Sequence, residues 1–189
     1  RRDFRFPVSL HGADGGKGRN LGRNCQRAGP AVTQTDNEVS MRKLALSDEI
    51  LMQVEKPARY IGNELNSVVK DTSQIRFAMC FPDVYEIGMS HLGIQILYDM
   101  FNRREDTWCE RVYSPWPDLH KIMKEQNIPL FGLESQEPIK TFDFVGMTLQ
   151  YEMCYTNILQ ILDLAQIPLL SADRTDTDPI VLGGGPCSY

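Results

Sequence analysis

The stretch "IRFAMCFPDVYEIGMSHLGIQILYDMFN" (residues 75–102) decides the fold. It begins with an apolar run of strand length at residues 75–81, and a helical pattern follows at residues 92–102. The apolar side chains of this helix fall on one stripe: Leu92, Ile96, Leu97 and Met100. A strand that leads into a helix in this way is typical of a βαβ unit, in which the strands pair in parallel.

The same alternation continues to the end of the chain. Further strands are predicted at "CERVYSP", "FDFVGMTL" and "PIVLGGGP", with helices at "WPDLHKIMKEQN" and "YTNILQILDLAQ" between them. Right-handed crossovers of this length give helices on both faces of a sheet. The sequence therefore predicts an α/β fold, a doubly wound, mostly parallel open sheet of the flavodoxin-like type.

The predicted sheet defines the domain organisation. The flavodoxin-like order has five strands, whereas this pattern supplies four and no helix after the last, so we expect a partial domain at residues 74–189, incomplete at its C-terminus. Residues 41–73 form a helical lead-in, with a helix that Ser47 caps and Pro57 ends.

Residues 1–40 differ from the rest of the chain. They contain 7 of the 20 basic residues and 6 of the 14 glycines, without a helical or strand period. Such a segment cannot bury enough apolar surface to fold, so we expect a disordered N-terminal extension. The change of composition at Met41 leaves open whether residues 1–40 are native.

Composition excludes several classes of protein. The net charge of -5 argues against direct nucleic acid binding, which needs an excess of lysine and arginine. No apolar stretch approaches the roughly 20 residues that span a bilayer, and we expect a cytoplasmic protein. The cysteines are too scattered for a zinc or iron–sulfur motif: Cys25, Cys80, Cys109, Cys154 and Cys187.

Three loops follow predicted strands and are candidates for a ligand site: residues 82–91, 150–155 and 183–189. Ligands of doubly wound sheets bind at the carboxyl ends of the strands. Gly88 and Gly93 have P-loop spacing, but Ile94 and Gln95 stand where that motif requires Lys and Ser/Thr. A Gly-x-Gly-x-x-Gly dinucleotide motif is also missing.

The remaining signals in these loops have two interpretations each. His91 could bind a metal, or it could cap or pack against the start of the following helix. The three glycines at residues 183–185 could let a large ligand approach the backbone, or they could form a tight turn after the strand.

Taken together, these segments resemble the cobalamin-binding-like domain found at the N-terminus of many radical S-adenosylmethionine (SAM) proteins. The resemblance covers residues 47–189 and is carried by "VEKPARYIGNELNSVVKD", "RFAMCFPDVYEIGMSHLGIQILYDMFN", "WCERVYSPWPDL", "FDFVGMTLQYEMCYTNILQILDLAQIPLL" and "IVLGGGPCSY". It implies that cobalamin is bound at the strand ends. The implied contact residues are Pro82, Gly88, His91, Thr148, Gly184 and Gly185.

The resemblance also implies a catalytic partner in the same polypeptide. A radical SAM core carries a Cys-x3-Cys-x2-Cys motif for a 4Fe-4S cluster that cleaves SAM, and this sequence has no such motif. We therefore expect a chain truncated before the core, which lies downstream and holds the cluster and SAM. The fragment alone should be inactive.

One departure from the family pattern concerns cobalt ligation. Domains that ligate cobalt through histidine use Asp-x-His-x-x-Gly, but here Met89 replaces the aspartate and Gly93 follows His91 by two positions. Because the carboxylate that would orient the imidazole is missing, we predict that His91 does not coordinate cobalt. The alternative function is a flavodoxin-like docking or scaffold domain that has lost cobalamin binding.

Overall fold

A parallel sheet forms the centre of the domain. The computed structural model describes residues 44–188, so the predicted disorder of residues 1–40 lies outside the described part. The strands are β1 (Ile75–Phe81), β2 (Thr107–Tyr113), β3 (Phe144–Thr148) and β4 (Ile180–Gly184). All pair in parallel in the order β2-β1-β3-β4. This confirms the predicted α/β class and matches the first four positions of the flavodoxin-like order.

Short helices connect the strands. They are α1 (Asp48–Leu51), α2 (Tyr85–Gly88), α3 (Leu92–Asn102), α4 (Pro117–Gln126) and α5 (Tyr155–Leu164). Single 3-10 turns lie at Pro57–Arg59, Ile139–Thr141, Glu152–Cys154 and Ser171–Asp173. Helix α1 is shorter than expected: Ser47 precedes it, but its side chain makes no capping hydrogen bond, and the helix ends after four residues.

The two faces of the sheet are covered to different extents. Helices α4 and α5 pack on one face, where their buried side chains meet Cys80, Val112, Val145 and Met147 in the main core. Helix α3 packs on the other face against Met79, Phe81 and Cys109, which belong to β1 and β2. The helices lie on opposite faces because the chain moves across the sheet in one direction from β1 to β2 and in the other from β2 to β3 and β4, and each crossover is right-handed.

Helix α3 buries a different stripe from the one that the sequence analysis emphasised. Ile94 and Tyr98 face the sheet, and Phe101 stacks on Phe77 of β1 with ring centroids 4.8 Å apart. The hydroxyl of Tyr98 also accepts a hydrogen bond from the backbone N–H of Val68 at 2.7 Å. The two aromatic side chains anchor this face, and the predicted stripe is exposed: Leu92, Ile96, Leu97 and Met100.

Within residues 44–188, none of the helices has the length and apolar character that crossing a membrane requires.

Candidate functional site

The carboxyl edge of the sheet, where the four strands end, is the candidate site. The chain leaves β1 toward β2 on one side and returns to β3 on the other, so the strand order reverses between β1 and β3. A crevice at such a reversal is where open α/β sheets bind ligands. The loops that follow β1, β3 and β4 bring the predicted site residues to this edge.

Pro82 and Gly88 are engaged in packing within the domain. Pro82 is fully buried, and its carbonyl accepts a hydrogen bond from the side-chain amide of Asn157 at 2.9 Å. A Cβ atom at Gly88 would lie 2.4 Å from the ring of Tyr113 and 2.9 Å from that of Phe81. Glycine is therefore required at position 88 by the close approach of two aromatic rings.

His91 caps helix α3. Its Nδ1 accepts a hydrogen bond from the backbone N–H of Ile94 at 3.3 Å, and its ring lies 5.3 Å from that of Phe81. The ring folds back over Gly93, where a Cβ atom would come within 3.0 Å of it. Because Nδ1 is the acceptor, the neutral imidazole carries its proton on Nε2. The capping alternative therefore describes His91 in this structure.

The two glycines at the end of β4 differ from each other. A Cβ atom at Gly184 would have no neighbour within 4 Å, so this position is open. Gly185 has a φ of +124°, and a Cβ atom there would lie 2.7 Å from the carbonyl oxygen of Leu149. Thr148 is buried, and its hydroxyl accepts a hydrogen bond from the amide of Gln150. Of these three residues, Gly184 alone leaves its side-chain space free for another molecule.

A hydrogen bond that the sequence analysis missed crosses the crevice between β1 and β3. The hydroxyl of Tyr151 donates to Oδ2 of Asp83, while Oδ1 of Asp83 accepts from the N–H of Val84 at 2.7 Å. The backbone carbonyl of Asp83 accepts from Ser114 at 2.9 Å. The hydrogen bond to the carboxylate of Asp83 raises the pKa of Tyr151 to about 12, so the phenol stays protonated and can donate. The loops on both sides of the crevice are thus tied together.

Asp83 could have been found from the sequence, since it directly follows the first predicted strand at the expected ligand edge. Tyr151 lies in the second candidate loop, but its pairing with Asp83 carried no sequence signal.

A buried carboxylate is paired with an arginine of β2, away from this crevice. The carboxylate of Glu134 is fully buried and accepts from the backbone N–H of Arg111 at 2.7 Å and from its Nε at 2.6 Å. Nη2 of Arg111 donates to Glu64 at 2.6 Å. Burial raises the pKa of Glu134 to about 7, although the neighbouring guanidinium opposes this shift. These contacts hold the loop containing Glu134 and the lead-in segment against β2.

A cleft of about 580 Å³ lies beside this cluster, between the lead-in segment and α3. Glu64, Leu65, Gln95, Asp99 and Arg111 are among its lining residues. The cleft is on the β2 side of α3, and none of the predicted site residues lines it. In the described part of the chain, no three His, Cys, Asp or Glu side chains are placed together to hold a metal ion.

The fold and the site define an α/β domain with its candidate ligand edge at the reversal of strand order. Residues 93–189, which run from α3 through β4, match the family described as radical SAM proteins, N-terminal. The chain belongs to this family.

The chain is also similar to a curated protein. The uncharacterized protein MJ0966 of Methanocaldococcus jannaschii is 26% identical over 111 residues, which are 58% of this chain and 19% of that protein. The chain thus matches about a fifth of the length of this relative.

Proposed function

We propose that this chain is the N-terminal domain of a radical SAM enzyme whose core lies further along the same polypeptide. The observation that carries the proposal is the family match, which covers α3 to β4. The core would hold a 4Fe-4S cluster, which supplies the electron for cleavage of SAM. The contribution of the present chain is a rigid parallel sheet joined to that core.

Cobalamin is the ligand that the resemblance implies for this domain, and its fit to the carboxyl edge can be judged residue by residue. Gly184 is open and would lie beside the ligand. Pro82 and Gly88 are occupied by internal packing, and Gly185 packs on the backbone of Leu149. Nδ1 of His91 caps α3. Most of the implied contacts are thus used within the domain, which favours a role other than cobalamin binding.

The contacts across the crevice support the alternative role, a docking domain. A ligand that entered between β1 and β3 would have to break the hydrogen bond between Tyr151 and Asp83. It would also have to displace Gln150 from the hydroxyl of Thr148. We therefore propose that the domain acts by packing against the rest of the enzyme. Cobalamin binding stays as a second candidate because of the open space at Gly184.

Titration with hydroxocobalamin separates the two roles. The docking role predicts no saturable change in the cobalamin absorption spectrum with the 189-residue chain or with the whole polypeptide. The second candidate predicts saturable binding that Gly184→Val weakens strongly, since a branched side chain would fill the open position.

Anaerobic reconstitution with iron and sulfide tests the proposed function itself. We expect a 4Fe-4S cluster in the whole polypeptide but not in the 189-residue chain. The cluster is detected by its absorption and, after reduction, by its electron paramagnetic resonance (EPR) signal. A stoichiometric cluster in the 189-residue chain would contradict the proposal, as would a whole polypeptide that holds none.

A further inference from the structure

Arg59 is a buried cation with a partner on one edge only. Its side chain is 8% exposed, and its Nε and Nη2 lie 3.0 and 2.9 Å from the carboxylate of Glu86. The ring of Trp116 lies against one face of the guanidinium, 5.0 Å from Cζ. The remaining edge carries Nη1, whose N–H groups are buried and, among the described residues, have no hydrogen-bond partner. Folded proteins rarely leave such a donor unpaired, so an acceptor is expected at this edge.

A cavity of about 20 Å³ adjoins Arg59, between the lead-in segment and the carboxyl end of β2. A volume of about 10–15 Å³ is enough for one water molecule, so the cavity has room for a single group of about that size. No residue in its lining, which lies entirely within residues 44–188, carries a carboxylate. The polar side chains of the lining are arginines and hydroxyl residues, all of which carry hydrogen-bond donors: Arg59, Arg111, Tyr60, Tyr85, Tyr113 and Ser114.

The charges beside the cavity favour an anion over a water molecule. Arg111 is already paired with two carboxylates. Arg59, in contrast, shares the single carboxylate of Glu86 with Lys56, so these three side chains carry a surplus of positive charge. Glu86 is also 42% exposed, and solvent weakens its attraction for the guanidinium. A water molecule would need acceptors for its own protons, whereas an anion needs donors alone, and donors are what this lining supplies.

We propose that the cavity binds one small monovalent anion, chloride, through Nη1 of Arg59. A second donor is the hydroxyl of Tyr60, which accepts a hydrogen bond from the backbone N–H of Trp116 at 3.2 Å and so keeps its own proton free to donate. Because Arg59 and Tyr60 belong to the lead-in segment and Ser114 directly follows β2, the bound anion fastens the lead-in to the carboxyl end of this strand. Chloride therefore stabilises the domain. The site does not depend on the proposed function, since this chain alone forms it.

Urea denaturation of the 189-residue chain at constant ionic strength tests the site, with sodium chloride replacing sodium gluconate, whose anion is too large for this cavity. For a dissociation constant of about 50 mM, about 200 mM chloride lowers the equilibrium constant of unfolding about fivefold. We expect at least this change in the unsubstituted chain and none in Arg59→Met, which lacks Nη1. Glu86→Gln is the matched control, because it loses the same ion pair but keeps the donors of the cavity, and its response to chloride should persist. Equal stability of the unsubstituted chain in the two salts, or loss of the response in both variants, would overturn the proposal.

Crystals of the unsubstituted chain grown in sodium bromide give a test that needs no variant, in case Arg59→Met does not fold. Bromide replaces chloride and is located by its anomalous scattering. We expect an anomalous peak within hydrogen-bond distance of Nη1 of Arg59. A water molecule at this position, without anomalous signal, would contradict the proposal. A bromide peak without an effect of chloride on stability would show binding at crystal concentration only and would also count against it.

Discussion

Gly184 and Gly185 are adjacent, yet the structure predicts opposite consequences for replacing them by alanine. Gly185 has a φ of +124°, a conformation that side-chain-bearing residues rarely adopt. A residue held in such a backbone conformation lowers the free energy of unfolding by about 1–3 kcal/mol. The new Cβ atom would also lie 2.7 Å from the carbonyl oxygen and 3.0 Å from the nitrogen of Leu149, so the turn after β4 must move.

For Gly185→Ala we expect a loss of at least about 2 kcal/mol in the free energy of unfolding, as strain and overpacking add together. In a domain of this size that loss lowers the melting temperature by roughly 4–8 °C. For Gly184→Ala, which meets no atom within 4 Å, we expect a change within about 0.5 kcal/mol.

Urea denaturation of both variants, followed by circular dichroism, measures the difference. A loss at Gly185→Ala no larger than that at Gly184→Ala would refute the argument, because it would mean that the turn after β4 adapts freely. A large loss at Gly184→Ala would show instead that the open space at this position is filled by the chain in solution.

Three further predictions concern charge and ligation. The hydrogen bond from Arg59 lowers the pKa of Glu86 from 4.5 to about 2; the stability that this pair contributes is therefore complete above pH 4.5 and lost as the pH falls toward 2. Glu86→Gln should make the melting temperature decline less steeply between pH 4.5 and 2. A decline as steep as that of the unsubstituted chain would contradict the contribution of this ion pair. Arg111→Met should destabilise the domain by about 3–5 kcal/mol in urea denaturation, because it leaves the buried carboxylate of Glu134 without its cation; a loss below about 1 kcal/mol would contradict this. If Co(II) cobalamin binds, its EPR spectrum should show no nitrogen superhyperfine splitting from His91, and a splitting that disappears in His91→Ala would show that the imidazole ligates cobalt.

The strands could be predicted because they depend on local patterns. The run at residues 75–81 is apolar except for Arg76 and corresponds to β1 without a shift. Strand β2 lies two residues earlier than predicted, since Thr107 and Trp108 pair with Ile75 and Arg76. Backbone pairing with a neighbouring strand extends a strand beyond the residues that its own pattern indicates.

The buried face of α3 could not be predicted from periodicity alone. The helix has two overlapping apolar stripes, and either could have faced the sheet. The choice depends on contacts with distant residues, in particular the stacking of Phe101 on Phe77 and the bond between Tyr98 and Val68.

The three candidate loops meet at the carboxyl edge of the sheet, and ligand binding at this edge stays a prediction. Gly88 and Gly185 were singled out as glycines, and the structure gives the reason as close approach of Tyr113 and Leu149 from the same chain. The bond between Asp83 and Tyr151 joins residues 68 positions apart and has no sequence signature. Such contacts arise only when parallel strands bring distant loops to one edge.

The most direct test of the central claim is SAM cleavage by the whole polypeptide. With a reconstituted cluster and dithionite as the electron donor, we predict formation of methionine and 5′-deoxyadenosine from SAM, quantified by liquid chromatography and mass spectrometry, and none above background from the 189-residue chain. A whole polypeptide that carries its cluster yet leaves SAM intact would contradict the assignment of this chain to the N-terminus of a radical SAM enzyme.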